Sequence, residues 1–195
     1  MIKTTLILVN ELNNYKSPNQ KIRRMVVDGQ LTPIIKGLYE TDRNTPAHLL
    51  AASIYGPSYL SFEFALAYYG LIPETVYTCT SATYGKLKLK KYDTPFGVFT
   101  YRDIPSEAYP FGITALEENG YGFLLASPEK ALCDQLYKMP VVANQREVGP
   151  LLFDNLRIDK TEFAKLNNKD MIELCEKYHS TNLKHFAGWL KRNEQ

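Results

Sequence analysis

Lys21, Arg23 and Arg24 lie within four positions of one another. Arginine can make two hydrogen bonds to guanine and lysine neutralises phosphate, so on one helix this trio has the chemistry to grip nucleic acid. The same composition also makes an ordinary solvated helix face. Lys36 follows beside Gly37, inside what reads as a hairpin. A basic helix before a hairpin is the layout of a winged helix-turn-helix, in which the helix enters the major groove and the hairpin meets the backbone. A second basic feature is Lys86-Leu87-Lys88-Leu89-Lys90-Lys91. Its alternation predicts a strand with Lys86, Lys88 and Lys90 on one face and the leucines on the other. Such a stripe would suit phosphate, an acidic partner, or the protection of a sheet edge from aggregation. Arg102 would extend the same positive surface.

Residues for catalysis are harder to assemble. There is no Gly-x-Gly-x-x-Gly, no phosphate-cradling Gly-x-x-x-x-Gly-Lys, no Gly-x-Ser-x-Gly and no His-Glu-x-x-His. His48, His179 and His185 are scattered, and Cys79, Cys133 and Cys175 are odd in number and far apart. That spacing argues against a zinc site and a disulfide framework, and for small buried residues in a reducing compartment. The best local candidate for metal-dependent nuclease chemistry is Glu129 and Asp134 with Lys130, although Glu129 also suits a helix start. Neither a metal nor another cofactor is expected, and a binding protein is the leading expectation over an enzyme.

The 195 residues suffice for one large domain or two small ones, and 45% of them are hydrophobic. The 23 Lys and Arg against 21 Asp and Glu leave a net charge of +2, which neither demands nor excludes nucleic acid. No apolar run reaches the roughly 18–20 residues of a membrane-spanning helix. The opening Met1–Val9 run is short and meets Asn10 and Glu11 at once, so it reads as an amphipathic helix and the protein as cytoplasmic.

The elements that would position these residues follow from pattern. A first helix is predicted from Lys3 to Asn14, with Ile2, Leu6, Val9 and Leu12 on one face. Ser17-Pro18 starts a second, with Ile22, Met25 and Val26 inward and Gly29 as its stop. Leu31 to Glu40 reads as two strands. A helix over Pro46–Tyr55 and another capped by Ser61 follow. Strands are expected over Val76–Ser81, Lys86–Thr94, Val98–Arg102 and Gly122–Ala126, with a turn at Thr94-Pro95-Phe96-Gly97. Ser127-Pro128-Glu129 opens a helix. In the tail, Asp159 to Glu162 resembles a capping box. Met171, Leu174, Cys175 and Tyr178 then form one apolar stripe, and Leu183, Phe186, Ala187 and Leu190 another, both suited to core packing.

The middle of the chain resembles a known family. Ser58 to Glu74 (SYLSFEFALAYYGLIPE), Val76-Tyr77-Thr78, the Thr94–Gly97 turn, Phe99-Thr100-Tyr101-Arg102 and Ala126 to Asp134 (ASPEKALCD) occur in the order seen in AbiEi antitoxins of abortive-infection systems. Upstream, Asp28-Gly29-Gln30-Leu31 and Lys36-Gly37-Leu38-Tyr39 are similar to the end of that family's recognition helix and its wing. The resemblance implies an α+β protein with a winged-helix-like domain over 1–44 and an antitoxin domain over 45–195. It implies binding of operator DNA, repression of the protein's own operon, and opposition to a nucleotidyltransferase toxin without a stable complex. DNA contacts would fall on Lys21, Arg23, Arg24, Lys36, Lys86, Lys88, Lys90 and Arg102. Only two helices precede the hairpin, where a full helix-turn-helix offers three. A protein-interaction module without DNA binding is the alternative expectation, and a nuclease a further one.

Overall fold

The computed structural model describes residues 1–193 and shows an α+β fold with a small sheet and a large one. The chain opens with β1 (Ile2–Thr4), α1 (Thr5–Glu11), α2 (Pro18–Val27), β2 (Thr32–Ile35) and β3 (Leu38–Glu40). These strands form an antiparallel sheet in the order β1-β3-β2. The first helix is therefore shorter than its sequence pattern predicts, because Ile2–Thr4 pairs with Leu38–Glu40 instead of coiling. The Thr4 hydroxyl accepts from Ile7 N at 3.3 Å and caps α1. This start changes which residues turn inward. Leu8 is buried and Leu6, expected inward, is 78% exposed. Leu8 packs with Ile22 and Leu31, flanked by Val9, Leu12, Met25 and Val26.

A polar turn at Asp42–Asn44 leads into a 3₁₀ turn (Ala47–Leu50) that continues as α3 (Ala51–Ile54). Next come β4 (Tyr59–Leu60), α4 (Phe62–Tyr68), β5 (Cys79–Thr83), β6 (Lys90–Thr94), β7 (Gly97–Asp103), β8 (Ile113–Glu118) and β9 (Tyr121–Ala126). The large mixed sheet runs β6-β7-β5-β4-β9-β8. Sequence pattern misses β8 and places β5 too early. It also calls Ser61 a cap, but the Ser61 hydroxyl is turned elsewhere. Thr80, from β5, accepts from Phe64 N at 3.0 Å and donates to Ser61 O at 2.6 Å, so a neighbouring strand holds the start of α4. The hairpin at Thr94–Gly97 is as expected, with Thr94 paired to Gly97.

The other helices are α5 (Pro128–Lys138), α6 (Val148–Pro150) running into a π-helical turn (Leu151–Asn155), α7 (Lys160–Phe163), α8 (Asn168–Glu176) and α9 (Thr181–Asn193). Ser127 caps α5 by accepting from Lys130 N, and Asp159 caps α7 by accepting from Thr161 N and Glu162 N. Both apolar stripes of the tail join the main core: Met171, Leu174, Cys175, Tyr178, Leu183, Phe186 and Leu190 are buried in it. No helix among the described residues is long and apolar enough to cross a membrane.

The predicted strand through Lys86–Leu89 does not form. Of the Lys86–Lys91 run only Lys90 and Lys91 lie in β6. The Asp103 carboxylate accepts from the backbone amides of Lys86, at 2.6 Å, and Leu87. Gly85 (φ +66°) and Leu87 (φ +56°) then bend the chain out of extended conformation. Alternation cannot sort the side chains across a face that does not exist, and both leucines point outward.

Candidate nucleic-acid interface

Helix α2 forms because Pro18 presets its first turn and the next nine residues contain no glycine and no further proline. Ile22 is its buried anchor, with Met25 and Val26 half-buried beside it. The opposite side presents Asn19, Gln20, Arg23, Arg24 and Val27 to solvent. That set lies at i, i+1, i+4, i+5 and i+8, one continuous face at helical spacing. Its polar members are the residue types that read base edges: Arg for guanine, Asn and Gln for adenine.

Charge is concentrated at the same place. Residues 1–40 carry six Lys and Arg (Lys3, Lys16, Lys21, Arg23, Arg24, Lys36) and three Asp and Glu (Glu11, Asp28, Glu40). Lys3 is taken up by Glu11, with Nζ 2.6 Å from Oε2, and the Glu40 side chain is fully buried. Among the described residues, Lys16, Lys21, Arg23, Arg24 and Lys36 have no ion-pair partner. A hollow of about 670 Å³ sits at the start of α2, lined by Tyr15, Lys16, Ser17, Gln20, Lys21 and Arg24. The Lys21 ammonium lies 5.4 Å from the centre of the Tyr15 ring, which orients it while leaving its charge unneutralised. Ser17, which also lines the hollow, makes no side-chain cap hydrogen bond to α2. Lys36 is exposed in the tight β2–β3 turn, where Gly37 adopts φ +84° and its carbonyl accepts from Thr5 N at 2.9 Å. Sequence reasoning missed Lys16, Asn19 and Gln20. The 3.6-residue spacing from Arg23 and Arg24 would have found the last two.

The other basic candidates lie in the loop after β5 and on β6 and β7. Lys86 is half-buried, its ammonium 5.4 Å from the Tyr55 ring centre. Lys88 is exposed at the loop apex, and Lys90 begins β6 opposite Tyr101. Arg102 is already engaged: Nη1 donates to Glu63 Oε1 at 2.9 Å and the guanidinium lies 4.9 Å from the Phe62 ring centre.

No family model matches the chain, and no curated protein matches it.

The residues proposed for metal-dependent cleavage do not converge. Glu129 accepts from Asn167 N at the surface, whereas Asp134 and Lys130 are fully buried. Asp134 Oδ2 accepts from Tyr59 and Ser61 at 2.9 and 2.6 Å, and Oδ1 accepts from Tyr178 at 2.5 Å. Lys130 Nζ sits 3.4 Å from Oδ1 and donates to Ala108 O and to the Tyr178 hydroxyl. Burial lowers the affinity of Lys130 for its proton and the Asp134 charge opposes that. Burial also pushes the Tyr59 and Tyr178 hydroxyls far above their ordinary values, with Asp134 adding to the effect. They stay protonated and donate. Among the described residues no three His, Cys, Asp or Glu side chains cluster as a metal site. The three cysteines are buried and unbridged.

Proposed function

We propose that the protein is a DNA-binding autorepressor of the AbiEi antitoxin type, acting by binding rather than by catalysis. The observation that carries the DNA reading is the outer face of α2: Asn19, Gln20, Arg23 and Arg24 in one exposed row, above a hollow lined by Lys16, Lys21 and Arg24 whose cations lack carboxylate partners. The unit around it supports a winged-helix reading. Two packed helices precede a hairpin, and β1 closes the sheet on the outer side of β3. In that arrangement α2 lies in the major groove and Lys36, on the short wing, meets the phosphate backbone. Opposition to a nucleotidyltransferase toxin rests on the motifs between Tyr59 and Asp134. Operator DNA is the partner proposed, and the toxin is a functional opponent, not a subunit.

The test is a salt titration of binding to DNA from upstream of the gene, with a scrambled duplex as control. Specific binding that falls steeply with salt is expected. Replacing Arg23 and Arg24 together by alanine should weaken it by about tenfold or more and flatten the log–log salt slope by roughly 1–2. Equal affinity and slope in that variant would remove α2 from the interface. Absence of binding to either duplex at low salt would refute the repressor reading.

A further inference from the structure

We propose that the loop Tyr84–Leu89 and the hollow beside it form a docking site for a protein segment that combines acidic and apolar side chains. The loop displays two leucines to solvent, Leu87 at 91% and Leu89 at 70% exposed. Apolar side chains grouped this way mark surfaces that become covered. They are not the tip of a slack loop. Asp103, at the end of β7, accepts from the Lys86 and Leu87 amides and, at 2.5 Å, from the Thr83 hydroxyl. This clamp holds Leu87 at φ +56°, a conformation that a bulky side chain rarely takes.

Next to the loop lies a hollow of about 800 Å³, walled by Leu87, Leu89, Ile104, Pro105, Tyr137 and Lys138. That volume holds several side chains. Its charges are not balanced. The Asp103 carboxylate is occupied by the loop amides and Thr83, and Arg102 is paired with Glu63. Lys88 and Lys138 remain without a carboxylate partner among the described residues. Lys138 is exposed, with its ammonium 4.8 Å from the Tyr137 ring centre, so its charge is held at the rim of the hollow where an incoming carboxylate can reach it. The surface therefore asks for negative charge and apolar bulk together. Duplex DNA has no use for the leucines, and a flat bilayer would leave the hollow unfilled. A peptide segment supplies both kinds of group. This inference is independent of the α2 reading, since none of its residues belongs to residues 1–40.

The experiment pans a displayed library of random dodecapeptides against the full chain, then measures isolated winners by fluorescence anisotropy. Peptides with acidic residues around Leu, Ile, Phe or Trp should be enriched. Their affinity should fall at least tenfold for the double variant Leu87→Ser, Leu89→Ser and for Lys88→Glu. Both changes lie on exposed side chains, and unchanged circular dichroism and melting would show that folding is intact. A peptide with one acid changed to lysine should regain affinity for Lys88→Glu. The proposal is overturned by no enrichment over bare matrix, or by winners insensitive to both variants. It is overturned equally if phosphatidylserine vesicles or duplex DNA, and not peptides, bind in a manner that depends on Leu87 and Leu89.

Discussion

Asp134 and Lys130 sit four positions apart on α5, both wholly buried. A charge taken out of water is costly unless paired and hydrogen-bonded, and here three hydroxyls and one ammonium surround a single carboxylate. Tyr59 and Ser61 come from β4 and its end, and Tyr178 follows α8. The residues that most resemble a chemical motif thus tie three parts of the fold together. Removing one member leaves the others stranded. Asp134→Ala should cost about 3–5 kcal/mol of stability, because it leaves the buried Lys130 charge uncompensated. Chemical denaturation of the variant measures this, and a loss under about 1 kcal/mol would mean that the charges are not held as described.

At the scale of elements, two segments present function-like surfaces for different physical reasons. Helix α2 is held by one apolar side, so its other side is left with whatever the sequence places there. The loop after β5 is held by backbone hydrogen bonds to Asp103, so the side chains of Leu87, Lys88 and Leu89 are released to solvent. The loop's order should therefore depend on that one carboxylate. Asp103→Ala should speed amide hydrogen exchange at Lys86 and Leu87 by about ten- to a hundredfold, as expected for losing a hydrogen bond to a charged acceptor. The β7 amides paired with β5 should keep their protection. Unchanged exchange at Lys86 and Leu87 would show that something other than Asp103 shapes the loop.

At the scale of the molecule, the N-terminal unit is not loosely tethered. Ile34 and Leu38 of its sheet belong to the main core, while Leu8, Ile22 and Leu31 form a separate small cluster. Glu40 joins the two parts. Its buried carboxylate accepts from the Tyr121 hydroxyl of β9 at 2.9 Å and from the amides of Thr41 and Asp42 at 2.8 and 3.1 Å, and it contacts the Met1 amino group. Burial alone would raise its pKa, but the amino group, the Asp42 amide and Tyr121 together bring it below the ordinary carboxylate range. Its contribution to stability is therefore fully present above the unfolded value near 4.5 and is lost as pH falls through the lower folded value. Glu40→Gln should lower stability by about 1–3 kcal/mol at pH 7, with the deficit shrinking on acidification below pH 4.5. Melting curves of the two proteins across that range decide it, and a deficit that stays constant with pH would rule out the ionised group as its source.

Local signals in the sequence sufficed wherever a segment's neighbours along the chain set its structure. Ser17-Pro18 with Ile22, Met25 and Val26 specified α2, Lys36-Gly37 the β2–β3 turn, Thr94–Gly97 the next hairpin, and Ser127-Pro128-Glu129 the start of α5. The placement of Lys21, Arg23 and Arg24 on α2 was legible for the same reason, since helical spacing is a local property. Tertiary structure decided the remainder. Ile2–Thr4 is a strand because Leu38–Glu40 offers it backbone partners, and nothing in its own pattern says so. Lys86–Leu89 leaves the sheet because a carboxylate 16–17 positions later captures its amides. Arg102 reads as a free cation until Glu63, 39 positions earlier, is folded against it, and Ser61 reads as a cap until Asp134, 73 positions later, takes its hydroxyl. Periodicity and capping report the geometry of one stretch of backbone. They carry no information about which distant polar group will satisfy a side chain, and that choice separated a free cation from a paired one.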